Sequence, residues 1–163
     1  TSKAVQLIKE AKKKGLDVTC SVASHHIFLT DEEIRSFDTN FKVTPPLRSD
    51  KDVKSLIRGI KDGTIDMIVS DHNPIDIENK NVEFENGFYG TIGMESLFGS
   101  VRKKLDLEET ITCLTENPCK RFDLPVSIIE KDTKAELTLF DPDTKYVFDT
   151  ADIISKSKNS ALS

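Results

Sequence analysis

The residue best placed to do chemistry is Asp71. It follows the apolar run Ile65-Asp66-Met67-Ile68-Val69, which Ser70-Asp71-His72 closes, and opens a long stretch without periodicity. In parallel α/β folds ligands gather at the carboxyl ends of strands, where the connecting loops form the mouth of the site. A carboxylate there binds a hard or borderline cation and can also move a proton. The competing reading is an Asp that caps a turn through its own backbone, helped by His72. His25-His26 follows an earlier strand-like run in the same way. Adjacent side chains on an extended segment point to opposite sides, so the pair cannot readily share one ion. One ring packed near the mouth, its nitrogen bonded to backbone, is the expectation. Phe41-Lys42-Val43-Thr44-Pro45-Pro46 reads as a rigid extended connector, because each proline restricts itself and the residue before it. Thr44 either touches a ligand or serves the connector. Gly90, after Tyr89, either lets backbone approach a ligand closely or supplies a turn.

Such residues need elements to hold them. Ala4, Val5, Leu7, Ile8 and Ala11 recur at helical spacing and predict a helix from Ser2 to Lys14, stopped by Gly15. Asp17 to Ala23 reads as a short strand. A second helix is predicted from Ser49 to Asp62, with Val53, Leu56, Ile57 and Ile60 on its buried face. Ile65 to Val69 is the next strand. Helix, strand, helix, strand is the grammar of parallel α/β architecture, whose strands are covered on both faces. From His72 to about Gly90 no period is visible, and irregular stretches of that length inside a domain are commonly functional. Helical spacing resumes at Met94, Leu97, Phe98 and Val101, then at Ile111 and Leu114. Asn117-Pro118 starts another short helix, which stops near Leu124-Pro125. Beyond Ser127 the runs Glu136 to Phe140 and Lys145 to Phe148 look β-like, with a turn at Asp141-Pro142-Asp143. The polar tail, Ser155 to Ser163, reads as loop or disorder. Residues 1–125 therefore form an α/β part and residues 126–163 a β part with a tail.

With 163 residues, 37% apolar and 31% charged, the chain is long enough to bury one ordinary core. A net charge of −5 argues against nucleic acid, since phosphate binding wants clustered Lys and Arg. Lys12-Lys13-Lys14 is the one basic cluster and reads as a solvated helix end. Three cysteines without a CxxC pair fit neither a disulfide framework nor a cysteine metal site, and suit a reducing cytoplasm. No apolar run is long enough to cross a bilayer. The start, Thr1-Ser2-Lys3, lacks signal character and Met, as a trimmed, cleaved or partial chain would.

The order of motifs is more specific than any one of them. His25-His26-Ile-Phe-Leu-Thr30, Asn40-Phe-Lys-Val-Thr-Pro-Pro-Leu-Arg48, Asp62-Gly-Thr-Ile-Asp66 and Ser70-Asp71-His72-Asn-Pro74 occur in succession. Gly90-Thr-Ile-Gly-Met-Glu95, Asn117-Pro118, Phe122-Asp-Leu-Pro125 and Ala135-Glu-Leu-Thr-Leu-Phe-Asp-Pro142 follow. Over essentially its whole length the chain resembles the latter half of the multifunctional-complex type of dihydroorotase, within the amidohydrolase superfamily. The resemblance implies the C-terminal part of a (β/α)8 TIM barrel, plus part of a small β domain built from both chain ends. It implies reversible cyclisation of N-carbamoyl-L-aspartate to L-dihydroorotate in cytoplasmic pyrimidine biosynthesis. One or two zinc ions would polarise the amide carbonyl and activate hydroxide. Asp71 matches a metal ligand that also shuttles a proton to and from the ring nitrogen. Tyr89-Gly90 matches a loop whose backbone hydrogen-bonds the substrate ring. A homo-oligomer and a complex with aspartate transcarbamoylase are the partners that the resemblance suggests.

Departures from the pattern open other readings. The family usually has a substrate-contacting Asn where Thr44 stands, and a second His where Ile75 stands. Ser127 and Asp132 replace glycines that frame a β-domain strand. The family's remaining metal ligands, histidines included, belong to its amino-terminal half, and the tail resembles a segment normally followed by final strands. A chain truncated on both sides, inactive alone, is the expectation. The alternatives are a non-catalytic scaffold for aspartate transcarbamoylase and an amidohydrolase for another cyclic amide, of hydantoinase or allantoinase type.

Overall fold

A computed structural model describes residues 1–126 and 128–162. Its elements alternate as the apolar spacing dictates. Helix α1 spans Ser2–Lys13, strand β1 Ser21–Ala23, helix α2 Ser24–Phe28, helix α3 Asp50–Lys61 and strand β2 Met67–Val69. Short helices follow: α4 at Ile77–Lys80, α5 at Leu97–Arg102, α6 at Leu107–Ile111 and α7 at Asn117–Phe122. A π-helical turn, Thr112–Glu116, joins α6 to α7, so residues 107–122 run helically without the break expected before Asn117.

The two strands lie parallel, with Ser21 opposite Met67, Val22 opposite Ile68 and Ala23 opposite Val69. Parallel neighbours need a crossover, and α3 supplies it. Gly15 and Gly63, at φ 75 and 74, end α1 and α3 in the left-handed conformation that glycine adopts without cost. The ladder is shorter than either predicted strand, since Asp17 to Cys20 and Ile65-Asp66 have no ladder partner beyond single bonds such as Asp66 N to Cys20 O. The core lies where α2, α3 and α5 meet the strands. Val22, Ile27, Leu56, Ile60, Ile65, Ile68, Val101, Leu105 and Cys113 form it, and Ile27 and Val101 are wholly buried. A second cluster joins Leu29, Val43 and Leu47 to Ala161.

Four expectations need correcting. His25 and His26 sit on α2, not on an extended segment, because the chain turns helical directly after Ala23. Lys13 and Lys14 are exposed as expected, but Lys12 is not a free solvated end: its Nζ reaches Asp66 Oδ1 at 2.6 Å and Gly63 O at 2.9 Å, tying α1 to the segment before β2. The runs Glu136 to Phe140 and Lys145 to Phe148 form no ladder among the described residues. Leu137, Leu139 and Val147 stand exposed there, and a strand exists only where a neighbour takes its backbone groups. The tail is ordered against the body: Asn159, Ser160 and Ala161 are buried, and Ser160 pairs in parallel with Ile92. Ser127 lies outside the described residues. Asp132 takes φ 67, a backbone state in which glycine is at home. The three cysteines are free, and no described helix is long and apolar enough to cross a membrane.

The aperiodic stretch is organised from within by one lysine. Lys80, 5% exposed, donates from Nζ to Thr39 O at 2.6 Å and Phe88 O at 3.0 Å. Burial lowers its pKa to about 8, against the pull of Asp38 and with a smaller push from Lys42. A neutral amine keeps two N–H groups, enough for both carbonyls. Between pH ~8 and ~10.5 the unfolded chain binds the extra proton, so stability contributed by neutral Lys80 grows as pH rises and is lost as pH falls through 8. Urea unfolding of wild type and Lys80→Met is expected to reveal a gap that widens in favour of wild type from pH 8 to 10. A gap that narrows over that window contradicts the assignment.

Candidate active site

The parallel register builds the site. Carried two residues past Ala23 and Val69, the same offset sets His25 beside Asp71, and His25 Nε2 lies 3.9 Å from Asp71 Oδ2. The His25 side chain is 2% exposed, whereas that of Asp71 is 50% exposed. Neither ring nitrogen of His25 has a hydrogen-bond partner among the described residues, and the adjacent Ser24 Oγ is unpartnered too. Burial, with a smaller contribution from His26, lowers the His25 pKa to about 3 and keeps the ring neutral. His26 differs. Its Nε2 meets Pro45 O at 2.8 Å, the backbone-bonded ring expected of the pair, and the two rings lie 4.3 Å apart.

Asp71 holds φ 48, a left-handed state rare outside glycine and met mostly in Asn and Asp. It turns the carboxylate out of the strand's course toward His25. Behind it, His72 accepts at Nδ1 from Gly93 N at 3.3 Å and Met94 N at 3.2 Å, which leaves its proton on Nε2. Backbone bridges continue the sheet outward, His72 with Thr91 and Ile92 with Ser160. His72 thus anchors the turn and does not cap Asp71. Glu95 Oε1 accepts from Ser155 N at 2.8 Å, a bond that holds its carboxyl below the usual range.

The other predicted positions are placed around this pair. Gly90, at φ 139, donates its N–H to Lys42 O at 2.9 Å, and Tyr89 O accepts from Asn73 Nδ2 at 3.2 Å. Lys42 Nζ lies 4.9 Å from the centre of the exposed Tyr89 ring. The turn at 89–90 is therefore clamped between the connector and the segment after Asp71. Thr44 is exposed on that connector, next to the Pro45 carbonyl that His26 holds. Among the described residues no three His, Cys, Asp or Glu side chains gather into a metal cluster. A cavity of about 790 Å³ opens nearby, between Asn40, Ile75, Lys80 and Ser157, but Asp71 does not line it. The His25–Asp71 pair sets unpartnered ring nitrogens against a carboxylate.

His25 was singled out from the sequence with His26, but a metal role was weighed below a ring packed and bonded to backbone. The signal was available: Val22-Ala23-Ser24-His25 and Ile68-Val69-Ser70-Asp71 end two parallel strands alike, apolar pair, serine, ligand-type side chain. Asn159 was missed, being read as part of a loose tail.

A sequence model of the amidohydrolase family matches residues 3–161. The chain belongs to that family. Among curated relatives it is 38% identical over 165 residues to the dihydroorotase of Bacillus subtilis (strain 168), covering 98% of this chain and 39% of that one. The dihydroorotase of Caldicellulosiruptor saccharolyticus is 40% identical over 168 residues, with 99% and 39% covered. The chain thus spans about two-fifths of the length of these relatives. Among solved structures, the L-hydantoinase of Arthrobacter aurescens superposes with a TM-score of 0.69 at 27% identity, over 75% of this chain and 29% of its own. Saccharomyces cerevisiae dihydroorotase in complex with 5-fluoroorotic acid gives 0.68 at 18% identity, over 77% and 36%, a likeness of fold. The amidohydrolase α/β barrel expected from the motifs is the fold this chain shares in part.

Within this amidohydrolase site Gly93 packs closely against the backbone at Ser70. A Cβ there would lie 2.7 Å from Ser70 O and 3.8 Å from Ser24 Oγ. Gly93→Ala is expected to lower stability by about 1–3 kcal/mol through overpacking, read as a lower urea midpoint at unchanged slope. An unchanged midpoint would mean that the strand ends are not held this closely.

Proposed function

We propose that these residues are the latter part of a dihydroorotase, and that His25 and Asp71 are two of the ligands of its metal. The observation that carries the proposal is the buried, neutral, unpartnered imidazole of His25 facing the Asp71 carboxylate. Leaving a buried polar group unsatisfied costs about 1–3 kcal/mol, so the arrangement makes sense as a cation site. The donors fit. An imidazole and a carboxylate are ligand types that zinc takes, so His25 and Asp71 would hold it together with ligands from outside these residues. Zinc bound there would supply Lewis-acid polarisation of the amide carbonyl that is made or broken.

The chain's own residues take the remaining roles. Asp71, half exposed, has one oxygen toward His25 and presents the carboxylate to the mouth, where it can carry the proton of the ring nitrogen. His25, buried in the core beside Ile27, would hold the cation from the barrel side. In the Tyr89-Gly90 turn the Gly90 N–H and both carbonyls are taken by Lys42, Asn73 and Asn159, which leaves the Tyr89 N–H to orient the ring of dihydroorotate or the chain of N-carbamoyl-L-aspartate. Thr44 stands on the connector flanking it. The identities near 40% to curated dihydroorotases support this substrate class over others. A second reading, hydrolysis of another cyclic amide, is favoured by Ile75: it lines the adjoining cavity and offers no hydrogen bond to a substrate carboxylate. Cytoplasmic localisation, a homo-oligomer and docking to aspartate transcarbamoylase remain part of the dihydroorotase reading.

The full-length protein with zinc is expected to hydrolyse dihydroorotate. Asp71→Ala should abolish turnover, by a factor of about 10³ or more as for loss of a group acting on metal and proton together. His25→Ala should lower bound zinc, measured by elemental analysis of dialysed protein. Normal turnover in the Asp71 variant, or hydantoin hydrolysed in preference to dihydroorotate, refutes the reading.

A further inference from the structure

Asn159, 5% exposed, meets groups from three segments with one carboxamide. Nδ2 donates to Asn73 O at 3.1 Å and to Gly90 O at 3.2 Å. Oδ1 accepts from Ile75 N at 3.2 Å and from the Ser157 hydroxyl, which also lies against Ile75 O. Both donors of the amide are used, and its oxygen takes the Ile75 N–H beside the Ser157 hydroxyl, whose one proton serves either that oxygen or Ile75 O. A flipped amide would set its own hydrogens against the Ile75 N–H, so the partners fix its orientation. The backbone carbonyl of Asn159 is held separately, by Ile92 N at 3.0 Å and Thr91 Oγ1 at 3.1 Å.

The side chain's partners are not scattered. Asn73 and Ile75 lie just beyond Asp71, and Gly90 belongs to the turn across the mouth. Asp71 at φ 48 and Gly90 at φ 139 are also two of the positions where the backbone takes a positive φ. Conformations of that kind persist only where surrounding structure over-determines them. One planar group bonded to both sides does so.

We propose that Asn159 is a positioning residue: its carboxamide sets the spacing between the backbone after Asp71 and the turn at Tyr89-Gly90, and so the width of the mouth that receives substrate. This rests on the reading that Tyr89-Gly90 faces substrate. Asn159→Asp is nearly isosteric, keeps the acceptor for Ile75 N–H, and sets a carboxylate against the carbonyls of Asn73 and Gly90. Thr91→Val loosens the same tail through its backbone and leaves the carboxamide alone.

The test is steady-state kinetics of the full-length, zinc-loaded protein on dihydroorotate, with zinc content and thermal midpoint alongside. Asn159→Asp and Asn159→Ala are expected to raise KM by about tenfold or more, with kcat within about threefold and zinc content unchanged, the pattern of lost ground-state binding. Thr91→Val is expected to lower the thermal midpoint and leave KM within about twofold of wild type. Should the Asn159 variants not fold, Ser157→Ala, which removes one partner of the same oxygen, carries the test in the same direction. Unchanged KM in folded Asn159 variants of an active protein overturns the inference alone, and so does an equal KM rise in Thr91→Val. A wild type without turnover overturns both this inference and the reading beneath it.

Discussion

A buried imidazole must satisfy its nitrogens, and the site depends on how His25 does so. Its neighbour His26 bonds to the Pro45 carbonyl, while His25 has no hydrogen-bond partner among the described residues and faces the Asp71 carboxylate at 3.9 Å. The proposed cation resolves that imbalance by joining the two groups. The pairing is a consequence of parallel register: once Val22 lies opposite Ile68, whatever stands three residues further along each chain is brought together. Core packing around Ile27 and Val101 then makes the juxtaposition rigid, since neither strand end can shift without opening a void.

Around this pair the irregular segments are held by polar groups, where apolar patterning has no hold on them. Lys80 gathers Thr39 and Phe88, Lys42 gathers the turn at Tyr89-Gly90, and Asn159 closes the tail over both. Backbone that leaves regular secondary structure must find partners for its N–H and C=O groups, and here long side chains provide many of them. That explains how a stretch with no visible period can be well ordered. It also explains how a tail rich in Ser, Lys and Asn is buried: its polar atoms serve other backbones.

The sequence was most legible where period and chemistry coincide. Helices α1 and α3 and strand β2 follow from spacing, glycine stops and an apolar run, and Asp71 from its place at a strand's end. His25 was misjudged because the two histidines were treated as neighbours on an extended chain; a helix beginning at Ser24 turns one ring toward Asp71 and the other toward Pro45. The runs Glu136 to Phe140 and Lys145 to Phe148 carry strand-like patterning, but patterning supplies no partner. Asn159 was invisible for a different reason. Its worth lies in contacts with residues 73, 75 and 90, far away along the chain, and no local spacing encodes them.

The central claim, that His25 and Asp71 share one metal ion, is most directly tested by zinc-edge X-ray absorption on the zinc-loaded full-length protein and on His25→Ala. The account predicts a nitrogen and oxygen shell at about 2.0–2.1 Å, with the imidazole scattering in the outer shells reduced by one ring in the variant. An outer-shell signal identical in both proteins would contradict it.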